Sequence, residues 1–116
     1  MIKIVALLKR RAGLTPAEFT EYYEQRHAPL FARVIPPEVE QVIVHYAQNH
    51  AVALGGGAPA WDCVTEIGFR DLAGMRVWSA WYRGPRGAVL REDEETFMDT
   101  AARVVVVTDE RRPVDF

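Results

Sequence analysis

The hydrophobic pattern divides the chain into short apolar segments and amphipathic segments separated by turns. Residues 2–8 are apolar apart from Lys3 and rich in β-branched side chains, which predicts a strand covered on both faces. Residues 41–52 and 61–69 read as strands whose side chains point alternately to two faces, and residues 101–108 contain four consecutive valines. These three segments are therefore predicted to be the remaining strands. On the second strand one face is predicted to carry Val42, Val44, Tyr46, Gln48 and His50.

The first helix has a strong start signal. Thr15 and Glu18 have the spacing of a capping box, and Pro16 falls at the first helical position, where its missing N–H costs nothing. An aromatic stripe follows at intervals of three and four residues. Because a proline disfavours the α conformation in the residue before it, we expect this helix to end at His27, stopped by Pro29. The aromatic members of the stripe are Phe19, Tyr22 and Tyr23, and Arg26 continues the same spacing.

The other segments are predicted from their capping and turn residues. Residues 31–40 contain Pro36-Pro37 and read as a connection with one irregular helical turn, while residues 54–59 are a glycine-rich link. Asp71 is expected to cap a second helix that stops at Gly84-Pro85. Residues 87–95 predict a shorter third helix whose acidic end opposes the helix dipole.

The element order β-α-β-β-α-β predicts the fold class. It is the split βαβ arrangement of a ferredoxin-like α+β domain, with both helices on one face of an antiparallel sheet. We place this domain at residues 1–110 and a tail at 111–116. The opposite sheet face carries valines, isoleucines and a few charges, and a second copy of the chain is the simplest cover. A homodimer is therefore expected.

Composition and charge exclude several classes of protein. The chain has 116 residues, 49% of them hydrophobic, which fits one compact domain. With 14 basic and 16 acidic residues, it has no nucleic-acid-binding character. No apolar segment has the length of a membrane span, and no signal peptide is visible, so we expect no membrane association and a cytoplasmic location. Cys63 is the only cysteine, and the three histidines lack a metal-binding spacing, so no metal or other cofactor is expected.

His27 is the first candidate for chemistry because it ends the aromatic stripe. An imidazole held there can shuttle protons on a bound substrate, or it can simply stabilise the helix end. Tyr46 and His50 share a strand face, about 13 Å apart at ideal rise, so they can contact one elongated ligand but not each other. Alternatively, His50 lies in solvent. His45, on the other face, is expected at the surface or at an interface.

The aromatic side chains are numerous for a small domain. Core packing explains most of them, but some can line a cavity in which planar aromatic substrates stack. Asp62 and Glu66 are too far apart along their strand for paired-carboxylate chemistry, and polar contacts are their default role. The candidate substrate-binding residues are Tyr23, Trp61, Asp62, Trp78, Trp81, Tyr82 and Phe97.

Four motifs in order resemble the EthD domain of the dimeric α+β barrel superfamily. They are Lys9-Arg-Arg-Ala-Gly-Leu-Thr-Pro-Ala-Glu-Phe19 with Tyr23 and His27-Ala-Pro-Leu30; His45-Tyr-Ala-Gln-Asn-His50; Trp61-Asp with Glu66-Ile-Gly-Phe69; and Arg91-Glu-Asp-Glu-Glu-Thr-Phe-Met-Asp99. The last motif contains the characteristic set of Asp93, Phe97 and Asp99. The resemblance extends over nearly the whole chain.

The resemblance implies a homodimer with a pocket between the helices and the sheet of each subunit. Members with assigned roles are small enzymes without cofactors, including methylmuconolactone isomerases and decarboxylases or oxygenases of aromatic polyketide pathways. His27 matches the helix histidine of the isomerase-like members. Two departures argue against other relatives: Tyr82-Arg-Gly-Pro85 lacks the histidine of polyketide cyclases, and the second and third helices lack a haem ligand.

The resulting hypothesis is a cofactor-independent enzyme that moves a proton on an aromatic or polyketide-like substrate. His27 is the predicted acid or base, aided by Tyr46 or His50. Decarboxylation, dehydration or cyclisation, isomerisation and oxygenation all require a stabilised anion, so the sequence leaves them open. The alternative is a non-catalytic dimeric module for small-molecule binding or stress response.

Overall fold

The computed structural model describes all residues, 1–116, as a four-stranded antiparallel sheet with helices packed on one face. The strand order is β2-β3-β1-β4, which confirms the predicted ferredoxin-like α+β fold. The strands are β1 (Ile2–Leu8), β2 (Ile43–His50), β3 (Cys63–Phe69) and β4 (Val104–Asp109). The helices are α1 (Pro16–Tyr22), α2 (Ala28–Val34), α3 (Pro37–Glu40), α4 (Leu72–Arg83) and α5 (Ala88–Phe97).

Strand β3 shows how the sequence alternation builds the core. Its residues Cys63, Thr65, Ile67 and Phe69 are all buried beneath the helices. On β1, Ile4 pairs with Ile67 and Ala6 with Thr65, so these side chains share the helix-covered face. The two central strands therefore form the floor on which the helices pack.

The outer face of the sheet and strand β4 remain open in the single chain. Val104 and Val106 on the outer face are 44% and 47% exposed. Val105, on the helix side of β4, is 53% exposed because the helices do not extend over this edge strand. On the outer face Lys3 forms ion pairs with two carboxylates: its Nζ is 2.6 Å from Glu66 Oε1 and 2.7 Å from Glu110 Oε1.

The sequence predicts that the first helix ends before Pro29, but in the structure the helix continues past this residue. A π-helical segment, Tyr23–His27, follows α1 directly, and α2 continues through Pro29 to Val34. In this segment the Ala28 N–H donates to the Tyr23 carbonyl, five residues back. We attribute the continuation to this wider turn, since it relieves the contact between a proline ring and the carbonyl four residues earlier.

Several other boundaries differ from the sequence predictions. Strand β2 is shorter than 41–52 and contains a register shift between Ile43 and His45, which leaves Val44 41% exposed instead of packed beside Tyr46. Strand β3 starts at Cys63 rather than 61, and β4 spans Val104–Asp109 rather than 101–108. Helix α5 continues to Phe97, beyond the predicted end at residue 95.

Two apolar clusters fill the space between the helices and the sheet. One contains Leu8, Phe19, Tyr23, Cys63, Phe97 and Met98. The other contains Val39, Ile67, Phe69, Trp78 and Leu90. The candidate site lies where these clusters meet. None of the helices is long and apolar enough to cross a membrane.

The start of α1 is set by the predicted capping box. The Thr15 hydroxyl accepts a hydrogen bond from the Glu18 N–H at 3.1 Å, and the Glu18 carboxylate accepts from the Thr15 N–H at 2.9 Å. These two hydrogen bonds satisfy the backbone N–H groups of Thr15 and Glu18, which would otherwise have no partner within the helix. It also fixes the rotation of α1, and with it the direction of the aromatic stripe.

We expect the substitution Thr15→Ala to lower the free energy of unfolding by about 1 kcal/mol, because it removes the cap acceptor. Urea denaturation measures the change. Thr100→Ala is the matched control, since Thr100 contributes its backbone carbonyl to a turn hydrogen bond. Equal stability of Thr15→Ala and the wild type would show that the cap does not stabilise α1.

Candidate functional site

A cavity of about 280 Å³ lies between the sheet and the helices α4 and α5. Most of its wall is apolar and comes from β1, β3, α4 and β4. The polar groups that reach it include the side chains of Tyr82, Glu94 and Arg103. The apolar lining consists of Ile4, Ala6, Leu8, Ile67, Trp78, Met98 and Val105, with Tyr23 from the π segment. A concave, mostly apolar wall with a few converging polar groups is typical of a small-molecule site.

His27 lies behind this cavity, at the end of the π segment, and is only 4% exposed. Its Nδ1 is 2.8 Å from Asp93 Oδ2, and its Nε2 is 3.6 Å from Glu94 Oε2. The ring packs against Tyr23 and Phe97, with centroid distances of 5.6 and 5.1 Å. Both ring nitrogens therefore face carboxylates that neighbouring residues of α5 supply.

Two opposing effects act on the pKa of His27. Burial alone would lower it, because a charged imidazolium loses its hydration. The hydrogen bonds and negative charges of Glu94 and Asp93 outweigh burial and raise the pKa above its ordinary value. The site thus favours the imidazolium, with a proton on each nitrogen.

Glu94 connects His27 to the cavity. It is 8% exposed, receives a hydrogen bond from the Tyr82 hydroxyl, and lies 3.0 Å from Arg103 Nη1. Burial would raise the pKa of this carboxyl, but His27, Tyr82 and Arg103 hold it below its usual range. Burial and the adjacent Glu94 charge also raise the pKa of Tyr82 to about 12. Glu94 is therefore ionised, and Tyr82 keeps its proton.

A chain of polar groups, linked between His27 and Glu94 by an ion pair of 3.6 Å, therefore leads to the cavity. It runs from Asp93 through His27 and Glu94 to Tyr82 and Arg103. Each member holds or stabilises a proton, so the chain can supply or accept one at the cavity wall. Asp93 is anchored from its other side by the Tyr22 hydroxyl, which donates to it at 2.6 Å.

Three of the predicted substrate-binding aromatics line the cavity. Trp78 and Tyr82 stack with their ring centroids 5.3 Å apart and an interplanar angle of 22°. Tyr23 also lines the cavity, and its hydroxyl lies 2.7 Å from the Thr65 hydroxyl. Burial raises the pKa of Tyr23 well above its ordinary value, so it too remains protonated.

Tyr46 and His50, the predicted helpers of His27, do not line this cavity. Tyr46 stacks on Phe31 at 5.0 Å and accepts a hydrogen bond from Gln48 at 2.9 Å. His50 is not free in solvent: its Nδ1 is 3.2 Å from the Thr20 hydroxyl, and its Nε2 is 2.9 Å from Gln48 Oε1. They belong to a separate polar network on β2, and their catalytic role stays a prediction.

The remaining predicted binding residues also lie outside the cavity wall. Lys9 lies over the ring of Trp61, 5.4 Å from its centroid. Asp62 accepts hydrogen bonds from the Arg10 backbone and guanidinium at 2.8 and 2.7 Å. Trp81 packs behind Trp78, and Phe97 is fully buried in the core.

Sequence reasoning assigned no role to Glu94 and Arg103, although both reach the cavity. One signal for Glu94 was present, since the acidic end of α5 opposes the helix dipole and calls for a compensating partner. Asp93 appeared only as a member of the late motif. Arg103 carried no local signal, because its partners come from other elements.

The structure offers no obvious metal centre. No group of three or more histidine, cysteine, aspartate or glutamate side chains is placed to hold a metal ion. Burial raises the pKa of the Cys63 thiol to about 11, so it is held as the neutral form in the core.

Comparisons with known proteins identify the family. The fold and its helix-covered cavity define an α+β domain of the ferredoxin-like class. The EthD domain family model matches residues 11–101, and the chain belongs to this family. A search of curated proteins found no match.

Solved structures share the fold at low sequence identity. An EthD family protein from Bacillus halodurans C-125 is 19% identical, with a TM-score of 0.68 over 96% of this chain and 99% of that chain. A dimeric ferredoxin-like protein of unknown function from Thermobifida fusca YX is 20% identical, with a TM-score of 0.59 over 92% and 88%. A dimeric protein of unknown function from Bacteroides fragilis NCTC 9343 is 13% identical, with a TM-score of 0.61 over 94% and 95%.

The raised pKa of His27 predicts a pH-dependent contribution to stability. The stabilisation is fully present below the pKa of an unfolded histidine and is lost as the pH rises through the higher folded value. We therefore expect Asp93→Asn to lower the free energy of unfolding by about 2 kcal/mol at pH 6 and by less at pH 9.

Urea denaturation at the two pH values measures this difference. Glu92→Gln, an exposed change on the same helix, is the control and should have little effect at either pH. An equal cost of Asp93→Asn at pH 6 and pH 9 would contradict a charged His27.

Proposed function

We propose that this protein is a cofactor-independent enzyme that transfers a proton on a small aromatic or polyketide-like substrate. The observation that carries the proposal is the imidazole of His27, buried between two carboxylates, one of which faces the cavity. Buried titratable groups with displaced pKa values are typical of active sites. Membership of the EthD family and the aromatic lining are compatible with this function.

In this proposal Glu94 is the catalytic residue, because its carboxylate reaches the cavity. It removes a proton from a substrate carbon next to a carbonyl, and the electron pair of the broken C–H bond forms an enolate. Arg103, whose Nε and Nη2 donors have no protein acceptor, is placed to stabilise that negative charge. Glu94 then returns the proton to another carbon, which completes an isomerisation. In a dehydration it protonates a β-hydroxyl oxygen instead, whose C–O bond breaks to release water while the enolate electron pair forms the C=C bond.

His27 acts through Glu94, since it does not line the cavity. Its imidazolium can pass the Nε2 proton to Glu94, which protonates a carbanion left by decarboxylation. Decarboxylation, dehydration or cyclisation and isomerisation share an anionic intermediate, and so does oxygenation, in which dioxygen is the oxidant that attacks the anion. One site of this kind can therefore serve any of them. In each of these routes, His27 and Glu94 would supply or accept the proton that the substrate anion gains or loses.

Solvent-deuterium incorporation tests the proposed proton transfer. Proton NMR in D2O follows exchange at the α-carbon of a panel of aryl ketones and aryl β-keto acids. We expect Glu94→Gln to slow the enzyme-catalysed exchange about 100-fold, because it removes the base. His27→Gln should slow it as well and shift the pH dependence of the rate.

Glu95→Gln is the matched control, because this exposed neighbour on α5 lies outside the cavity wall. Exchange by folded Glu94→Gln at the wild-type rate would contradict the assignment of the base. No exchange by the wild type on any member of the panel, despite binding, would favour the second candidate.

The second candidate is a non-catalytic dimeric module for small-molecule binding or stress response. It is supported by the engagement of both His27 nitrogens and by the absence of His27 from the cavity wall. The buried charges would then fix the electrostatic potential of a binding pocket without moving a proton. Binding of an aromatic ligand without turnover distinguishes this module from the enzyme.

We further propose that the chain forms a homodimer through the outer face of its sheet. Two similar structures are described as dimeric, and here the outer face exposes Val104 and Val106 beside Val5 and Leu7. Covering these side chains removes apolar surface from water. We also propose a cytoplasmic location, in which the reduced Cys63 would persist.

Light scattering after size exclusion should give about twice the 13.1 kDa chain mass. Val106→Glu should shift the protein toward the monomer, because it places a charge in the proposed interface. Val89→Glu is the control: Val89 is 40% exposed on α5, on the opposite side of the sheet. A monomeric wild type would overturn the homodimer.

A further inference from the structure

The charged residues of the cavity wall are unbalanced. The wall contains two guanidinium groups, those of Arg83 and Arg103, and a single carboxylate, that of Glu94. Because Glu94 is ionised, the wall has one excess positive charge. The acid-base pair of Asp93 and His27 behind the wall adds no net charge when both members are ionised. A ligand that carries one negative charge would neutralise this excess.

The donors of the two arginines are mostly unused. Every hydrogen bond of the Arg103 guanidinium is made by Nη1, to Glu94 at 3.0 Å and to Tyr82 at 3.4 Å. The Nε and Nη2 groups of Arg103 have no protein acceptor, although its side chain is only 26% exposed. The Arg83 side chain forms no hydrogen bond or ion pair within the chain and lies at the exposed rim of the cavity.

A neutral ligand would make this arrangement unfavourable. It would displace water from the partly buried Arg103 without offering a charged acceptor, and donors that lose water without replacement cost free energy. A carboxylate matches the planar fork of a guanidinium and can accept two parallel hydrogen bonds from it. The remaining wall, with Trp78 stacked on Tyr82, suits an aromatic ring.

We infer that the cavity selects an aromatic carboxylate, held by Arg103 within the cavity and by Arg83 at its rim, with the ring against Trp78 and Tyr82. This inference rests on the proposed function in one respect, namely that the bound acid is the substrate on which Glu94 acts. It names two specificity-determining residues. Arg83 takes no part in the proton relay from His27, whereas Arg103 also contacts Glu94 within it. Their contribution here is to binding and to the choice between charged and neutral ligands.

Isothermal titration calorimetry with a matched pair of ligands tests the inference. The probes are 2-naphthoate and its neutral counterpart 2-naphthamide, which have nearly the same shape. We expect the wild type to bind 2-naphthoate at least about tenfold more tightly, since a charge-assisted hydrogen bond has this effect on affinity. The preference should decrease as the ionic strength rises.

Arginine variants assign the preference to the cavity. Arg83→Gln should weaken 2-naphthoate binding about threefold, a modest effect because the side chain is exposed, and leave 2-naphthamide unaffected. Arg103→Gln should abolish most of the preference; because it also removes a partner of Glu94, circular dichroism must show that the variant is folded. Arg76→Gln, an exposed change on the same helix as Arg83, is the control and should retain the wild-type affinities.

Equal affinities for the two probes, tighter binding of the amide, or no binding of 2-naphthoate would overturn the inference. So would the same preference in folded Arg83→Gln and Arg103→Gln variants. Failure of the proposed function is a separate observation. If 2-naphthoate binds with the expected preference but the aryl ketones and aryl β-keto acids undergo no proton exchange, the enzymatic function is contradicted and the anion site is retained.

Discussion

The candidate site depends on a buried imidazole held between two carboxylates. Burial normally favours the neutral form of a histidine, but Asp93 and Glu94 face the two ring nitrogens of His27 and raise its pKa instead. The positive charge of His27 in turn helps to keep Glu94 ionised within the apolar interior. Removing one member would leave the others as poorly compensated buried charges, which is costly. The negative charge of Glu94 at the cavity wall therefore depends in part on this contact.

The π-helical segment places the imidazole beneath α5. It brings Tyr23 to the cavity wall and His27 to the carboxylates, so both ends of the five-residue segment face inward. In a regular α-helix, residues four apart also lie near one face, but the proline at position 29 would meet the carbonyl of the preceding turn. The wider turn accommodates Pro29 and lets the helix continue. Segments of this kind are often found at functional sites.

The sequence predicted the fold well because its signals are local. The capping box of Thr15, the alternation of β3 and the cap of Asp71 are all present in the structure. The predicted helix end before Pro29 was wrong, because the rule that a proline ends a helix at the preceding residue applies to regular α-helices and not to a π segment. Glu94 and Arg103 could not be assigned because their roles arise only when α5, β4 and the π segment pack together. The burial of His27, behind rather than within the cavity wall, is likewise a property of tertiary packing.

The protonation state of His27 is the central claim, and nitrogen NMR of the imidazole ring tests it most directly. In protein labelled with 15N at histidine and titrated across pH, the account predicts that both ring nitrogens of His27 keep the shifts of protonated N–H groups to a higher pH than those of an unfolded histidine. Substituting His45 and His50 in turn assigns the signals. Loss of a ring proton from His27 at or below the pH at which an unfolded histidine loses it would contradict the account, because the two carboxylates would then not stabilise the imidazolium.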